Sequence, residues 1–365
     1  MSYNYSYTFP ALRGLQAGQI YYVAMCPLKL LPKLFLFDEA EVPPELRAQR
    51  TLNAARIPEI ARYMVHNRRD YAFSAITVSI DGEVEFEPVA GEDIGKLVIS
   101  MTARFIINDG QHRRAAIEMA LAEQPDLADE TIAVVFYLDA GLKRSQQLFA
   151  DLNKHAIRPT KSIGILYDYR DPLSCLVRDL IDRIPLFKDF TEKEKTTISN
   201  RSTKLFTMSG IYQATGALLG KDKGDPIRPA EADMARSFWS ELANVIPEWG
   251  QVLTRQASSA ELRRDYVHAH SVTLHAMGLA GRDLLQLHPS DWQQRIKGLR
   301  QLDWSRSNTH LWEGRAMSGG QMSKARQNVQ LTANLIKTYL GLPLLPDGAR
   351  LEDGFFAGTA AGSQT

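Results

Sequence analysis

Apolar positions fall into two regimes along the chain. Through the first 150 residues they form short alternating runs, and beyond that they recur at helical spacing. Residues 1–14 are polar with Tyr3, Tyr5 and Tyr7 alternating, the pattern of an edge strand or a loose arm. Residues 19–37 start β-branched and aromatic and are then broken by Pro27 and Pro32, which predicts a strand near 20–26 and an irregular turn. In 43–69, Pro43 and Pro44 open one helical segment and Arg56-Ile57-Pro58-Glu59 another, with Ile57, Ile60, Ala61 and Met64 on one face. Two strand-like runs flank Asp81-Gly82 and predict a hairpin over 72–89. A strand over 97–107 runs into Asn108-Asp109-Gly110, a helix follows at 111–124, then a strand at 131–138 and a helix at 141–153. Strands alternating with helices predict an α+β (mixed α/β) domain.

The second half reads as helices at 173–184, 204–219, 230–246, 259–286, 289–301 and 323–340. The last carries Val329, Ala333, Ile336 and Leu340 on one stripe and stops at Gly341, with Pro343 beyond. After Leu351 the chain is rich in Gly, Ala and Ser. The expected organisation is a first domain at 1–165, a mainly helical domain at 166–345 and a flexible tail at 346–365.

Composition narrows the class. The 365 residues are 44% hydrophobic with a formal charge of +1, enough for a large core without staples. No apolar run approaches the roughly 18 residues of a membrane span, and the N-terminus lacks an apolar signal core. A membrane, secreted or mostly disordered protein is therefore not expected. Two cysteines, Cys26 and Cys175, suggest a reducing, cytoplasmic setting. Both are expected as buried apolar thiols, with a redox-sensing role as the alternative for Cys26. Charge is uneven: Arg255 to Lys337 holds 12 Lys+Arg against 6 Asp+Glu, which suits either solvated helix faces or a phosphate-contacting surface.

The stretch that carries chemistry is Phe105 to Ala116. A strand delivers the chain to Asp109-Gly110, Gly110 permits a tight turn, and a helix starts near Gln111. Unpaired amides and a positive dipole end make such a start an anion site. His112, Arg113 and Arg114 occupy that first turn, where cations oppose the dipole by a few tenths of a kcal/mol each. Bidentate binding of a phosphate is a compensating role. Asp109 suits helix capping, orienting an arginine, or holding Mg²⁺.

Elsewhere, Asn153 and Lys154 either end a helix or face bound phosphates across a cleft, and a buried Asp151 would order His112. The hydroxyl-rich Thr196–Lys204 loop, with Arg201 and Lys204, suits a helix cap or DNA phosphate contact. Arg263, Arg264, Arg306 and Arg315 are candidates to line a duplex, with Trp304 and Trp312 packed beneath. His268, His270 and His275 do not complete a tetrahedral ligand set, so no metal site is expected. No Walker loop is present, so nucleotide hydrolysis would not use that route.

These motifs carry a resemblance. Asp109-Gly110-Gln111-His112-Arg113 is similar to the DGQHR signature, and Gly110 to Ala116 resembles the phosphate-binding box of the ParB/sulfiredoxin superfamily. Leu148–His155 with Arg158–Lys161 resembles the second box of DGQHR proteins. Ser199–Phe206, Trp304-Ser305-Arg306 and Trp312–Arg315 resemble later motifs of the DndB family, linked to DNA phosphorothioation. The resemblance implies a ParB/sulfiredoxin-like first domain that binds ATP through Asp109–Arg114. It also implies a repressor of the DNA sulfur-modification operon that binds double-stranded dnd promoter DNA. The alternatives are a Mg²⁺-dependent ATPase coupled to DNA nicking, with Asp109, His112 and Asp151 as catalytic residues, or a DNA-binding module without nucleotide chemistry. Dimerisation to match a palindromic site is a further expectation.

Overall fold

The computed structural model describes residues 5–35, 53–138, 147, 151 and 159–362, with side chains up to Phe356. Contacts divide the chain into two compact units, Met1–Ile157 and Arg158–Thr365. The boundary falls ahead of residue 165, and the C-terminal tail belongs to the second unit.

The first unit holds a seven-stranded mixed sheet. Its strands are β1 (Ser6–Gln16), β2 (Gln19–Pro27), β3 (Ile76–Asp81), β4 (Val84–Pro88), β5 (Ile94–Ser100), β6 (Arg104–Asp109) and β7 (Thr131–Leu138). Their order is β4-β5-β1-β2-β7-β3-β6. Period-two alternation sets the buried face: Ile132, Val134 and Phe136 of β7 and Leu97 and Ile99 of β5 are buried. Helix α1 (Ile57–His66) covers it with Ala61 and Met64, and α2 (Gln111–Glu123) with Ala116, Ile117 and Ala120.

Two expectations change here. Residues 6–16 form an interior strand rather than an edge strand or an arm: β1 lies between β5 and β2, with Leu12 paired to both Val23 and Ile94, while Tyr7 pairs with β5 alone and residues 1–4 lie outside the described residues. The hairpin at Asp81-Gly82 does not form. β3 pairs with β6 (Asp81 opposite Arg104) and β4 with β5 (Val84 opposite Ile99). The chain reverses instead beyond Pro88, where the Val89 amide donates to the Ile94 carbonyl at 2.8 Å. Residues 76–88 and 94–109 are thus one long ribbon bent in the middle. Gly82 and Glu83 join β4, at one end of the sheet order, to β3, next to the other end, so the sheet wraps toward closure. Of the predicted helix at 141–153, Gln147 and Asp151 are described and helical. Residues 43–52 of the predicted 43–69 segment lie outside the described residues.

The second unit is helical: α3 (Lys161–Tyr167), α4 (Pro172–Arg183), α5 (Met208–Leu219), α6 (Pro229–Val245), α7 (Pro247–Leu253), α8 (Ser259–Asp265), α9 (Ser271–Leu287), α10 (Arg326–Tyr339) and α11 (Pro346–Gly362). Side chains of Thr160, Asp171, Thr207 and Ser258 cap α3, α4, α5 and α8. The predicted 259–286 helix is broken at Tyr266–His270, because residues 304–306 take its backbone groups. Val267 N donates to Trp304 O at 2.9 Å and Arg306 N to Asp265 O at 2.8 Å. α5 and α9 cross in backbone contact at Gly278, where a Cβ would lie 2.2 Å from the Ala214 carbonyl oxygen. Trp304 and Trp312 are stacked in the core with ring centroids 5.6 Å apart, as expected. The tail expectation is corrected: α11 is a helix, and Glu352 on it is buried.

Candidate functional site

The DGQHR segment forms the β6–α2 corner of the first unit. Gly110 takes φ +110° and its missing Cβ leaves room for Ile76, whose Cγ1 would be 3.0 Å from it. No side chain caps α2, so its first-turn amides are open. The flanking polar side chains are turned inward: Asn108 Nδ2 donates to Ser79 Oγ at 2.7 Å, and Gln111 Nε2 to Ile107 O at 3.2 Å.

Both arginines of the box have protein partners. Arg113 bonds the Asp109 carboxylate, the Ser74 hydroxyl and the Ser74 carbonyl, the last at 2.7 Å. Arg114 is buried, paired with Glu118 and donating to Pro32 O at 3.0 Å. The expected pair of free guanidinium groups at the helix start is thus corrected. Asp109 at the end of β6 and Glu118 within α2 offset the unfavourable dipole placement, and Arg114 is buried on its protein partners. His112 Nε2 accepts the Asn53 backbone N–H at 3.0 Å, which puts the proton of the neutral ring on Nδ1. Burial, with the nearby Arg56 charge, holds the His112 pKa below the usual imidazole value. Asp151 is exposed and accepts from Gln147 at 2.7 Å, so it is not the buried partner of His112 that the sequence suggested. Asn153 and Lys154 lie outside the described residues.

The helical unit holds a cleft of about 880 Å³. Its walls come from the Thr196–Asn200 loop, the start of α8, the start of α9 and the segment around Met322 and Lys324. Two arginines build it. Arg263 is buried with no carboxylate partner among the described residues: its guanidinium donates to the carbonyls of Ser199 (3.0 Å), Asn200 (3.2 Å), Ser202 (2.9 Å) and Lys204. Arg306 donates to the carbonyls of Arg263 (3.3 Å), Arg264 (3.2 Å) and Gly320 (3.1 Å). The latter anchors a small hairpin, Met317–Ser318 with Gln321–Met322, turned by Gly319-Gly320. That hairpin brings Lys324 to the cleft. Lys324 is exposed to the cleft's solvent, yet the walls around it and the Lys161 charge pull its pKa down. His270, driven by burial to about 4, is neutral and bonds Arg263 O at 2.8 Å. The one carboxylate on the lining, Glu261, is held by Ser258 in the α8 capping box.

The remaining predicted DNA contacts separate. Arg201 is exposed and lines an adjoining cavity of about 740 Å³ with Arg255. Lys204 reaches back to Asp189 O at 2.9 Å. Arg264 lines the cleft but is paired with Asp265 at 2.7 Å. Arg315 is corrected outright: it is buried on Glu352 and faces no duplex. Sequence reading missed Lys324, although Gly319-Gly320 between short strands is a recognisable hairpin signal that places it. Cys26 is buried, its thiol pushed up to about 12, whereas Cys175 is exposed, contrary to expectation. The histidine trio does not assemble. His268 is enclosed by Trp249, Tyr266 and Trp304, and His270 caps Arg263.

No curated protein and no solved structure matches the chain. The family described as DNA-sulfur modification-associated matches residues 9–343, a span that takes in the DGQHR corner and the cleft of the helical unit. The chain belongs to the DndB family and is associated with DNA sulfur modification.

Proposed function

We propose that the chain is a DNA-binding repressor of the operon that carries out the modification, acting on double-stranded dnd promoter DNA through the helical unit. One observation carries this reading: Arg263, Arg306 and Lys324 converge on one cleft, and none has a carboxylate partner among the described residues. Positive charge held by neutral carbonyls remains available to a polyanion. Hydroxyls of Thr196 and Thr197 at the same rim suit phosphate oxygens. The test is a gel shift on DNA upstream of the modification operon, across salt and with and without ATP. Retention that falls steeply with salt is expected. Lys324→Glu should weaken it about tenfold or more and flatten the salt slope by about one. A shift of equal strength with Lys324→Glu would refute the reading.

A second reading keeps ATP at the DGQHR corner, favoured by the uncapped first turn of α2 beside a half-exposed Asp109. A phosphate there would meet backbone amides and compete with Asp109 for Arg113; Arg114 would take no part. The residues fit Mg²⁺ poorly, because the Asp109 carboxylate already faces the Arg113 cation, and no step is derived through the metal. Stable ATP binding without phosphate release would favour a regulatory nucleotide over an ATPase.

A further inference from the structure

We infer that the cleft of the helical unit takes a single nucleoside phosphate, either free or as one residue that has left the stack of the bound DNA. The inference deepens the DNA-binding reading and rests on it. Three observations set the ligand's chemistry. The first is electrostatic: Arg306 and Lys324 both line it without a carboxylate partner among the described residues, and Glu261 on the same lining is engaged by its own helix cap. The second is the start of α9. Ser271 and Val272 line the cleft, and no side chain caps this 17-residue helix; Thr273 N is taken by His270 O at 3.1 Å, which leaves the Ser271 and Val272 amides for the space the two cations line. A cation pair beside an open helix start is a phosphate site.

The third observation separates a nucleotide from a bare phosphate or a duplex ridge. The floor is apolar: Leu205, Ala269 and Val272 are buried, with Ile198 and Met322 partly exposed above them. A phosphate has no use for that floor, whereas a base and sugar do. The volume of about 880 Å³ lies in the range of small-molecule pockets. A duplex carries its phosphates on convex ridges, so a residue reaches such a floor only when it leaves the stack. Hydroxyls at Thr196 and Thr197 then face the base edge or sugar.

The experiment uses the full chain and fluorescence anisotropy of a short, end-labelled oligothymidylate, with competition by unlabelled deoxythymidine monophosphate, by inorganic phosphate and by duplex, all at matched ionic strength. Saturable binding of the single strand is expected, displaced by the mononucleotide but not by inorganic phosphate. Two variants locate the site. Lys324→Met removes an exposed cation and should weaken the strand about tenfold. Ala260→Glu adds a carboxylate to the cleft in the first turn of α8, where a helix tolerates an acid. It should weaken the strand at least as much without lowering the thermal midpoint. Displacement by inorganic phosphate as strong as by the mononucleotide would overturn the nucleoside part. Unchanged affinity in both variants would overturn the location. A protein that shifts duplex DNA but binds neither the strand nor the mononucleotide would overturn this inference and leave the DNA-binding reading standing. Loss of duplex binding as well would remove both.

Discussion

Arg315 and Glu352 meet inside the helical unit through two parallel hydrogen bonds of 2.7 Å each, the only route by which the buried guanidinium finds a counter-charge among the described residues. Leu331 O takes a further bond at 2.9 Å, and Phe355 lies 4.5 Å from the guanidinium carbon at its ring centroid. The pair fastens α11 to the unit. Removing one partner leaves an uncompensated buried charge, which costs on the order of 3–5 kcal/mol. Glu352→Ala should therefore lower the urea midpoint strongly, while Arg315→Met with Glu352→Leu should recover most of the loss. A single variant with an unchanged midpoint would contradict the pairing.

The α5–α9 crossing makes a second prediction. Gly278 brings the helices so close that a methyl group would meet the Ala214 carbonyl at 2.2 Å. Gly278→Ala must spread the helices and should destabilise by about 1–3 kcal/mol. Gly250, in α7, has nothing within 4 Å of its Cβ direction. Gly250→Ala should instead stabilise by up to about 1 kcal/mol through helix propensity. Thermal denaturation of the two variants should move the midpoint in opposite directions.

Local pattern carried most elements, and partner choice carried the differences. Strand β7 and helices α2, α4, α6 and α10 lie close to their expected spans, because each has a continuous apolar face and a clear start or stop. The ribbon from β3 to β6 was misread as a hairpin at Asp81-Gly82, since strand pairing across a sheet is not encoded in a local turn signal. The DGQHR corner was legible in backbone terms, down to the left-handed Gly110. What the arginines do there was not, because Glu118 and Asp109, which occupy them, look like ordinary helix and cap residues. The cleft was less legible still: its parts come from residues 196–207, 260–272 and 306–324, and only the tertiary fold brings them together.

Four histidines tie stability to pH. His270 is driven by burial to about 4, and His268, His275 and His112 are also lowered, burial being the largest cause in each. A lowered histidine pKa means that the unfolded chain binds the proton first as pH falls. Stability is thus full above about pH 6.5 and declines toward pH 4. His270 alone accounts for about 3 kcal/mol across that window. The lowered carboxylates, such as Asp171 and Asp179, act below it, where their unfolded forms begin to protonate. Urea midpoints should fall steadily from neutral to mildly acid pH, and His270→Asn should flatten part of that slope. A flat profile would show that these rings are free to protonate in the folded chain.

The DGQHR corner gives a prediction whose sign depends on what Asp109 does. In the structure its carboxylate competes with any incoming anion for Arg113, while Ser74 holds the other side of the guanidinium. If ATP binds there through the α2 amides and Arg113, removing the competing charge frees the arginine and reduces repulsion of the phosphates. Asp109→Asn keeps the size of the side chain, and its amide oxygen still accepts from Arg113. Calorimetry without divalent cation should therefore show ATP bound several-fold more tightly by Asp109→Asn than by the natural chain, and less tightly by Arg113→Ala. If Asp109 instead supplies a metal contact essential to nucleotide binding, Asp109→Asn would weaken ATP in the presence of Mg²⁺ and leave the metal-free affinity unchanged. Tighter binding in the metal-free titration would mark Asp109 as a gate on Arg113, a role that its ion pair supports and its helix-start position alone would not reveal.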